Sequence, residues 1–212
     1  MINVVACLAL EHHPGLVLLA ALLCVAGTMT FVQLLRRAMN SNGHTRTAWV
    51  VMSAFALDTT VWCTHFIALL AFKANMPVMI DPVLTILSLV MPMFGFFLAI
   101  TLLIAGKQKA LTLLGAVILG LCVSALHYSG MMAYRVDGFV TWKLEYVIAS
   151  VLISCAFSIA AGFAYTHYQN SRYNFATVAL FSLGVISLHF TGMEAMEVTP
   201  LNLSDHPLEE GA

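Results

Sequence analysis

Charged side chains are scarce in this chain. Only 9% of its 212 residues are Asp, Glu, Lys or Arg, whereas an ordinary soluble domain carries about 25%. Hydrophobic residues make up 61% of the chain, and its mean hydropathy is +0.93. A composition this apolar excludes an ordinary soluble domain and predicts a protein that crosses a membrane several times.

The sequence signatures of several common functions are also missing. The chain contains no glycine-rich phosphate loop, no basic patch for nucleic acid and no nucleophile triad. Its five cysteines show no CxxC spacing, and those within apolar runs are interpreted as small buried hydrophobes. Residues 1–14 contain no Lys or Arg, so the positively charged start of a cleaved signal peptide is not expected.

Six apolar runs are long enough to span a bilayer, since a spanning helix needs about 20 residues. They are Leu16–Leu35, Ala48–Phe72, Pro82–Ala105, Ala110–Tyr134, Leu144–Tyr168 and Phe175–Met196. We therefore predict an all-α membrane protein with six transmembrane helices. Residues 1–14 are predicted to form an outer N-terminal segment, 15–197 the membrane domain and 198–212 an outer C-terminal tail. The short connections leave no room for a soluble catalytic domain, so we do not expect enzyme activity from one.

A histidine recurs at a constant interval on alternate predicted helices. His65, His127 and His189 are 62 residues apart. Each has a valine four residues before it, an aromatic residue one after and an alanine six after: Val61, Val123 and Val185; Phe66, Tyr128 and Phe190; Ala71, Ala133 and Ala195. The last two copies also share a hydroxyl residue, a glycine and a methionine: Ser129, Gly130 and Met131; Thr191, Gly192 and Met193. A constant period signals a repeated structural unit, so we predict three pseudo-repeats of a two-helix unit.

The segments His127–Met131 and His189–Met193 resemble the signature of MHYT domains, bacterial membrane sensor modules named for Met-His-Tyr-Thr. The resemblance covers nearly the whole chain, although Thr64, Leu126 and Leu188 stand where the family motif opens with methionine. It implies a six-helix bundle whose motifs lie near the outer membrane face and bind copper to sense oxygen, carbon monoxide or nitric oxide. Family members often carry cyclase or phosphodiesterase output domains for cyclic di-GMP. None is present here, so the resemblance implies a stand-alone member or a fragment, with a signalling output partner or a further domain.

Basic residues orient the predicted bundle, because short cytoplasmic loops collect Lys and Arg. One side holds Arg36, Arg37, Arg46, Lys107, Lys109 and Arg172, and the other holds Lys73, Arg135 and Lys143. This asymmetry predicts a multi-pass protein of the bacterial cytoplasmic (inner) membrane with both termini outside. The three repeated histidines then lie near the outer ends of their helices.

His65, His127 and His189 lie at matching depth on three helices that are predicted to run from the inner to the outer face. We therefore predict that the three histidines converge on one axis. His127 and Met131 are four residues apart and so share a helix face, as do His189 and Met193. Imidazole suits copper, zinc, iron or nickel, whereas a thioether favours Cu(I). These five side chains therefore predict a metal site, with copper as the metal and zinc or haem as the alternatives.

Other polar side chains are candidates for a supporting role. Tyr128 could tune a ligand by hydrogen bonding, although an interfacial anchor is the alternative. Asp58 shares a helix face with His65 but lies about 10 Å deeper, so it suits a proton relay or a protonated carboxyl bonded to a Ser or Thr. Glu197 could balance metal charge. His12, His13 and Cys63 are further candidate metal ligands, less favoured than the five named above. An exposed polar cap is the favoured interpretation of the two histidines.

Three functional classes remain open at this point. The first, which the resemblance favours, is a membrane sensor of a diatomic gas or of redox or copper status. The second is a copper-dependent membrane redox enzyme or an electron carrier. The third is a transporter with Asp58 at its mid-membrane site, and the scarcity of other buried charges counts against it.

Overall fold

The structure, a computed structural model, describes residues 12–73, 78–105, 108–136, 138–167 and 171–200. Most of the two predicted terminal segments, residues 1–11 and 201–212, lies outside the described residues. The helices are α1 (Pro14–Met39), α2 (Gly43–Ala71), α3 (Pro82–Ala105), α4 (Lys109–Met132), α5 (Leu144–His167) and α6 (Ser171–Met193). Each contains a stretch long and apolar enough to cross a membrane. The prediction of an all-α membrane protein with six spanning helices is confirmed.

Several helix ends differ from the apolar runs that predicted them. Helix α2 begins at Gly43 rather than at Ala48, and α6 ends at Met193 rather than at Met196. Helix α2 begins earlier because the hydrogen bonds of a helix are internal, so polar residues can continue it beyond the hydrocarbon layer. Helix α6 ends earlier because the chain forms a short strand at Met196–Pro200. Helix α3 also continues through Pro92.

The six helices form two rings. In an 18-residue apolar window of α2, α4 and α6, 56%, 50% and 56% of the residues are buried, against 28% in each of α1, α3 and α5. The histidine-bearing helices therefore form the centre of the bundle, and the other three wrap around them. This arrangement agrees with three repeats of a two-helix unit.

Short strands connect the helices at the end of the bundle that carries the repeated histidines, called here the histidine end. Strand β1 (Val78–Ile80) pairs with β2 (Tyr134–Val136), and β3 (Gly138–Trp142) pairs with β4 (Met196–Pro200), both antiparallel. A single bridge joins His12 to Phe72 in the same way. The segment before each outer helix thus pairs with the segment that follows an inner helix. None of these strands is predicted from the sequence.

The alanine six residues after each repeated histidine has a structural role in this pairing. The backbone carbonyls of Ala71, Ala133 and Ala195 accept hydrogen bonds from the backbone N–H groups of His13, Asp81 and Lys143, at 2.8, 2.9 and 2.8 Å. Each bond ties the beginning of an outer helix to the end of an inner helix. The three equivalent bonds fix the three-fold register of the two rings at the histidine end.

Asp81 caps helix α3 and provides a pH-dependent contribution to stability. Its Oδ1 accepts hydrogen bonds from the backbone N–H groups of Val83 and Leu84 at 3.0 and 3.1 Å, and its Oδ2 lies 3.4 Å from Arg135. The Leu84 hydrogen bond, followed by the smaller effects of Arg135 and Val83, lowers the pKa of this carboxyl below its ordinary value of 3.8. Because the folded pKa is depressed, the contribution is complete above pH 3.8 and is lost as the pH falls through the lower folded pKa.

We therefore expect Asp81→Ala to lower the melting temperature at pH 6 and to lower it less as the pH falls below 3.8. Thermal unfolding in detergent, followed by circular dichroism at several pH values, measures this difference. Asp81→Asn is the control, because Asn also caps helices but cannot lose a charge. A difference between wild type and Asp81→Ala that stays constant with pH would show that the ionised carboxyl contributes nothing.

Candidate metal centre

The three repeated histidines meet inside the bundle. His65, His127 and His189 are 3%, 1% and 4% exposed, and each lies on a different inner helix. One ring nitrogen from each lies within 4.8 Å of the other two. The predicted convergence of the histidines on one axis is therefore present in the structure.

Two of the rings already stand at a separation suited to one metal ion. Nδ1 of His65 and Nδ1 of His127 lie 3.2 Å apart and share a hydrogen bond. Two nitrogens bound at ~2.0 Å to one ion at a tetrahedral angle would lie roughly 3.3 Å apart. The ring centroid of His189 lies 5.4 and 5.3 Å from those of His65 and His127, which themselves are 4.9 Å apart. His189 is therefore the more distant member of the trio.

The repeated glycines explain why two of the rings are held in place. A Cβ added to Gly130 of α4 would lie 2.7 Å from Cδ2 of His65, and one added to Gly192 of α6 would lie 2.9 Å from Cδ2 of His127. No side chain larger than hydrogen fits at such distances unless the ring shifts. Ala68 occupies the corresponding place on α2. His65 and His127 therefore each rest against a glycine backbone, and the first repeat has no such glycine to offer His189.

Apolar layers close the axis on both sides of the trio. Val61, Val123 and Val185 are all buried, belong to the main hydrophobic core and stand one turn inward on the histidine-bearing helices. One turn in the other direction, Leu69, Met131 and Met193 belong to a second buried cluster that also contains Phe66 and Tyr134. Each layer takes one residue from each inner helix. The trio is thus sealed between two apolar layers.

The ring nitrogens fit a metal by their chemistry. Among the described residues, Nε2 of His65, Nε2 of His127 and both ring nitrogens of His189 are buried without a hydrogen-bond partner. A buried polar atom left in this way is costly. An ion bound by the trio would give one ring nitrogen of His189 a partner and so relieve part of that cost, whereas Nε2 of His65 and Nε2 of His127 lie against Gly130 and Gly192. Three imidazoles so close together leave no space for a porphyrin ring between them. The site can therefore hold a single metal ion, and the geometry is unsuited to haem ligated by opposed histidines.

The remaining predicted residues are distributed around the trio. The hydroxyl of Tyr128 shares a 2.6 Å hydrogen bond with Oγ of Ser150, and its ring lies 4.9 Å from that of His127. Glu197 is largely exposed on β4, where its carboxylate lies 3.6 Å from Nζ of Lys143. Cys63 is partly buried and does not belong to the histidine cluster. The structure thus brings Tyr128 to the site, but not Glu197 or Cys63.

His12 differs from its favoured interpretation. The side chain is 1% exposed and packs between the rings of Phe72 and Phe190, at centroid distances of 5.4 and 5.2 Å. The prediction of an exposed polar cap is therefore wrong for His12, whereas His13 is exposed as predicted. The backbone bridge between His12 and Phe72 holds His12 inside the bundle. Phe190 follows His189 directly, so His12 covers the site from the histidine end.

Asp58 lies on the axis at a deeper level. It is completely buried two helical turns from His65, and neither carboxylate oxygen has a hydrogen-bond partner among the residues that the structure describes. The expected bond to a Ser or Thr across the bundle is not formed there. A polar group buried without a partner costs about 1–3 kcal/mol.

Replacing Asp58 by leucine should therefore stabilise the fold by about 1–3 kcal/mol, because it removes a desolvated polar group without breaking a bond. Thermal unfolding of Asp58→Leu in detergent, compared with wild type, measures the change. Asp58→Asn is the matched control, since it keeps a polar group of the same shape and should give no such gain. If both variants lower the melting temperature, the carboxyl has a stabilising partner such as an internal water.

Comparison with known proteins places the chain among bacterial signalling proteins. The family model described as MHYT, bacterial signalling protein N terminal repeat, matches residues 59–116 and 120–178. An uncharacterized signaling protein of Caulobacter vibrioides is 32% identical over 214 residues, covering 99% of this chain and 26% of that protein. No solved structure matches the chain significantly.

Two relatives from Pseudomonas aeruginosa act on cyclic di-GMP according to their names. The cyclic di-GMP phosphodiesterase NbdA is 35% identical over 205 residues, covering 91% of this chain and 26% of the relative. The bifunctional diguanylate cyclase/cyclic di-GMP phosphodiesterase MucR is 26% identical over 196 residues, covering 88% and 28%. The chain thus spans about a quarter of the length of the curated relatives it matches.

Proposed function

This chain belongs to the MHYT family of bacterial signalling proteins, and from that membership we propose that it is a membrane sensor whose three central histidines hold one copper ion. The observation that carries this proposal is the buried trio of His65, His127 and His189, in which one ring nitrogen of each lies within 4.8 Å of the other two and both ring nitrogens of His189 have no hydrogen-bond partner among the described residues. Neutral imidazoles in an apolar bundle favour an ion of low charge, because the free-energy cost of burying an ion rises with the magnitude of its charge. Cu(I) meets this condition better than zinc.

Two methionines support the choice of copper. Met131 and Met193 are 1% and 4% exposed, and each lies one turn from a histidine of the trio on the same helix face. A thioether is a soft ligand that favours Cu(I) over zinc. We therefore assign both methionines to the copper site, next to the three imidazoles. Tyr128 positions the His127 ring through its contact with it, while its own hydroxyl is held by Ser150.

The proposed signal is a diatomic gas, namely oxygen, carbon monoxide or nitric oxide, or the redox state of the copper. Copper would supply an ion that changes oxidation state and can accept such a ligand. The rigid contacts of Gly130 with His65 and of Gly192 with His127 couple the trio to the spacing of the inner helices. A shift of the His65 or the His127 ring must therefore move the neighbouring helix that carries Gly130 or Gly192. Helix shifts of about 1–2 Å are a common form of switching.

The direction of the signal follows from charge. Arg36, Arg37 and Arg46 lie at the end of the bundle opposite to the histidines, and such residues collect on the cytoplasmic side. We place the histidine end at the outer face of the bacterial inner membrane, with both termini outside. The output is proposed to be control of a cyclic di-GMP enzyme, carried by a further domain or a partner.

Hydrogen–deuterium exchange tests the sensor proposal. The copper-loaded protein in lipid nanodiscs is compared under argon and under carbon monoxide, and exchange is followed in residues 38–46 and 108–112 at the end opposite to the histidines. We expect carbon monoxide to change exchange there in the wild type and not in a His65→Ala, His127→Ala, His189→Ala variant. An infrared C–O band without any change in exchange would show gas binding without signalling. A Soret band in the purified protein would instead indicate a haem electron carrier.

A further inference from the structure

The three repeats meet at three joints that are not alike. A joint is defined here as the contact of an inner helix with the next outer helix: α2 with α3, α4 with α5 and α6 with α1. At the α2–α3 joint, Nε1 of Trp62 donates to Oγ of Ser88 and to the carbonyl of Thr85, both at 3.2 Å. At the α4–α5 joint, the hydroxyls of Tyr128 and Ser150 are 2.6 Å apart. Hydrogen-bonded aromatic side chains thus fill two of the joints.

The α6–α1 joint has no hydrogen-bonded aromatic side chain of this kind among the described residues. The backbone register of His13, Asp81 and Lys143 places Ala20 where the other joints have Ser88 and Ser150. On α6, Ile186 stands at the repeat position of Trp62, and Phe190 at that of Tyr128. Neither Ile186 nor Phe190 can form a side-chain hydrogen bond with Ala20, so the hydrogen bonds of the other two joints have no equivalent here. A cavity of about 40 Å³ remains at this joint.

The cavity lies directly beside the candidate metal centre. Its lining is almost wholly apolar and includes Val17, Ala20, Ala21, Ile186 and Phe190 as well as all three histidines. His189, whose ring nitrogens have no hydrogen-bond partner in the described part of the chain, is 96% buried and borders it. An apolar cavity of this kind stays dry and accepts small apolar molecules such as xenon. Its volume suits a diatomic molecule.

The same joint offers a route from the bilayer. Val17, Ala21 and Ile186 are only partly buried, and all three lie within the membrane-spanning parts of α1 and α6. Small residues at a helix interface leave little side chain to block a passing molecule. Apolar gases dissolve better in hydrocarbon than in water, so a lateral opening draws on the richer reservoir.

We propose that the α6–α1 joint is the gas pocket of this protein, and that a diatomic gas reaches His189 laterally from the lipid between α1 and α6. This inference rests on the proposed gas-sensing function and adds its binding pocket, its access route and the residues that form both. Ala68, which replaces the motif glycine in the first repeat, belongs to the lining. The departure of the first repeat from the motif thus falls at the joint that remains open.

Two measurements test the proposal, and the first needs no metal. Methyl NMR spectra of the metal-free protein in nanodiscs are recorded under increasing xenon pressure. We expect the Ala20 methyl signal to shift and to saturate, whereas the exposed Ala26 methyl on the same helix should show only a non-saturating lipid effect. No saturable shift at Ala20 would overturn the proposal whatever the metal does.

The second measurement follows carbon monoxide recombination after photolysis of the copper-loaded protein, by its infrared band. Ala20→Leu should slow recombination by at least about tenfold, equivalent to ~1.4 kcal/mol in the barrier, with copper content unchanged. Ala21→Leu is the second variant in case Ala20→Leu does not fold, and Ala26→Leu is the matched control with an unchanged rate. Equal rates in all three variants would refute the route. Saturable xenon binding without any carbon monoxide band would support the cavity and refute gas sensing at copper.

Discussion

Replacing His127 with alanine is expected to weaken Cu(I) binding by at least about a hundredfold, or ~2.7 kcal/mol. His127 contacts both other members of the trio, because its Nδ1 lies 3.2 Å from Nδ1 of His65 and its ring centroid lies 5.3 Å from that of His189. Its removal leaves two imidazoles and opens a further void in the buried layer that holds the trio. Competition against a Cu(I) chelator of known affinity, in detergent and under reducing conditions, measures the loss.

The control for this variant is His44→Ala, since His44 is exposed near the beginning of α2, at the opposite end of the bundle. It should bind Cu(I) like the wild type. Equal affinity of His127→Ala and His44→Ala would mean that copper binds elsewhere, and the buried trio would then be only a packing feature.

Replacing Gly130 with alanine should disturb the site without touching a ligand. The added methyl would meet the imidazole of His65, 2.7 Å from Cδ2, so either the ring or helix α4 must move. Overpacking of this kind costs about 1–3 kcal/mol of folding stability. Because the ring is displaced from its partner, we also expect Cu(I) affinity to fall by at least about tenfold. Chelator competition and thermal unfolding measure the two effects.

Gly15→Ala is the matched control, because no atom lies within 4 Å of a Cβ added there. It should change neither affinity nor melting temperature by more than the small amount that helix propensity explains. Should Gly130→Ala behave like Gly15→Ala, the glycine contact does not position His65. The coupling of the trio to helix spacing would then lose its basis.

The centre of the fold was predictable from the sequence because its signal is repeated. Three helices with the same histidine, valine and aromatic positions must present equivalent faces, and three equivalent faces in a bundle meet at the axis. The motif glycines are likewise visible as a repeat, and glycine in a membrane helix allows close approach of a neighbouring helix. The structure adds which atom each glycine touches, as with Gly130 against His65.

The features at the histidine end were not predictable in the same way. Strands β1 to β4 are three to five residues long and pair with segments distant in sequence, so they leave no clear periodic pattern. The burial of His12 depends on Phe190, which is remote along the chain. The repeated alanines are visible in the sequence, but their function cannot be inferred from it. Ala71, for example, acts through its backbone carbonyl oxygen and not through its side chain. The cavity depends on differences between the repeats, such as Ala20 against Ser88, which a search for similarity passes over.

The most direct test of the central claim is the copper content of the purified full chain. After reconstitution with Cu(I) under reducing conditions and removal of loosely bound metal, elemental analysis should give one copper per chain for the wild type. The variant with His65, His127 and His189 all replaced by alanine should give none above background. Copper retained by that variant, or a wild type that holds none, would contradict the assignment of the trio as a metal centre.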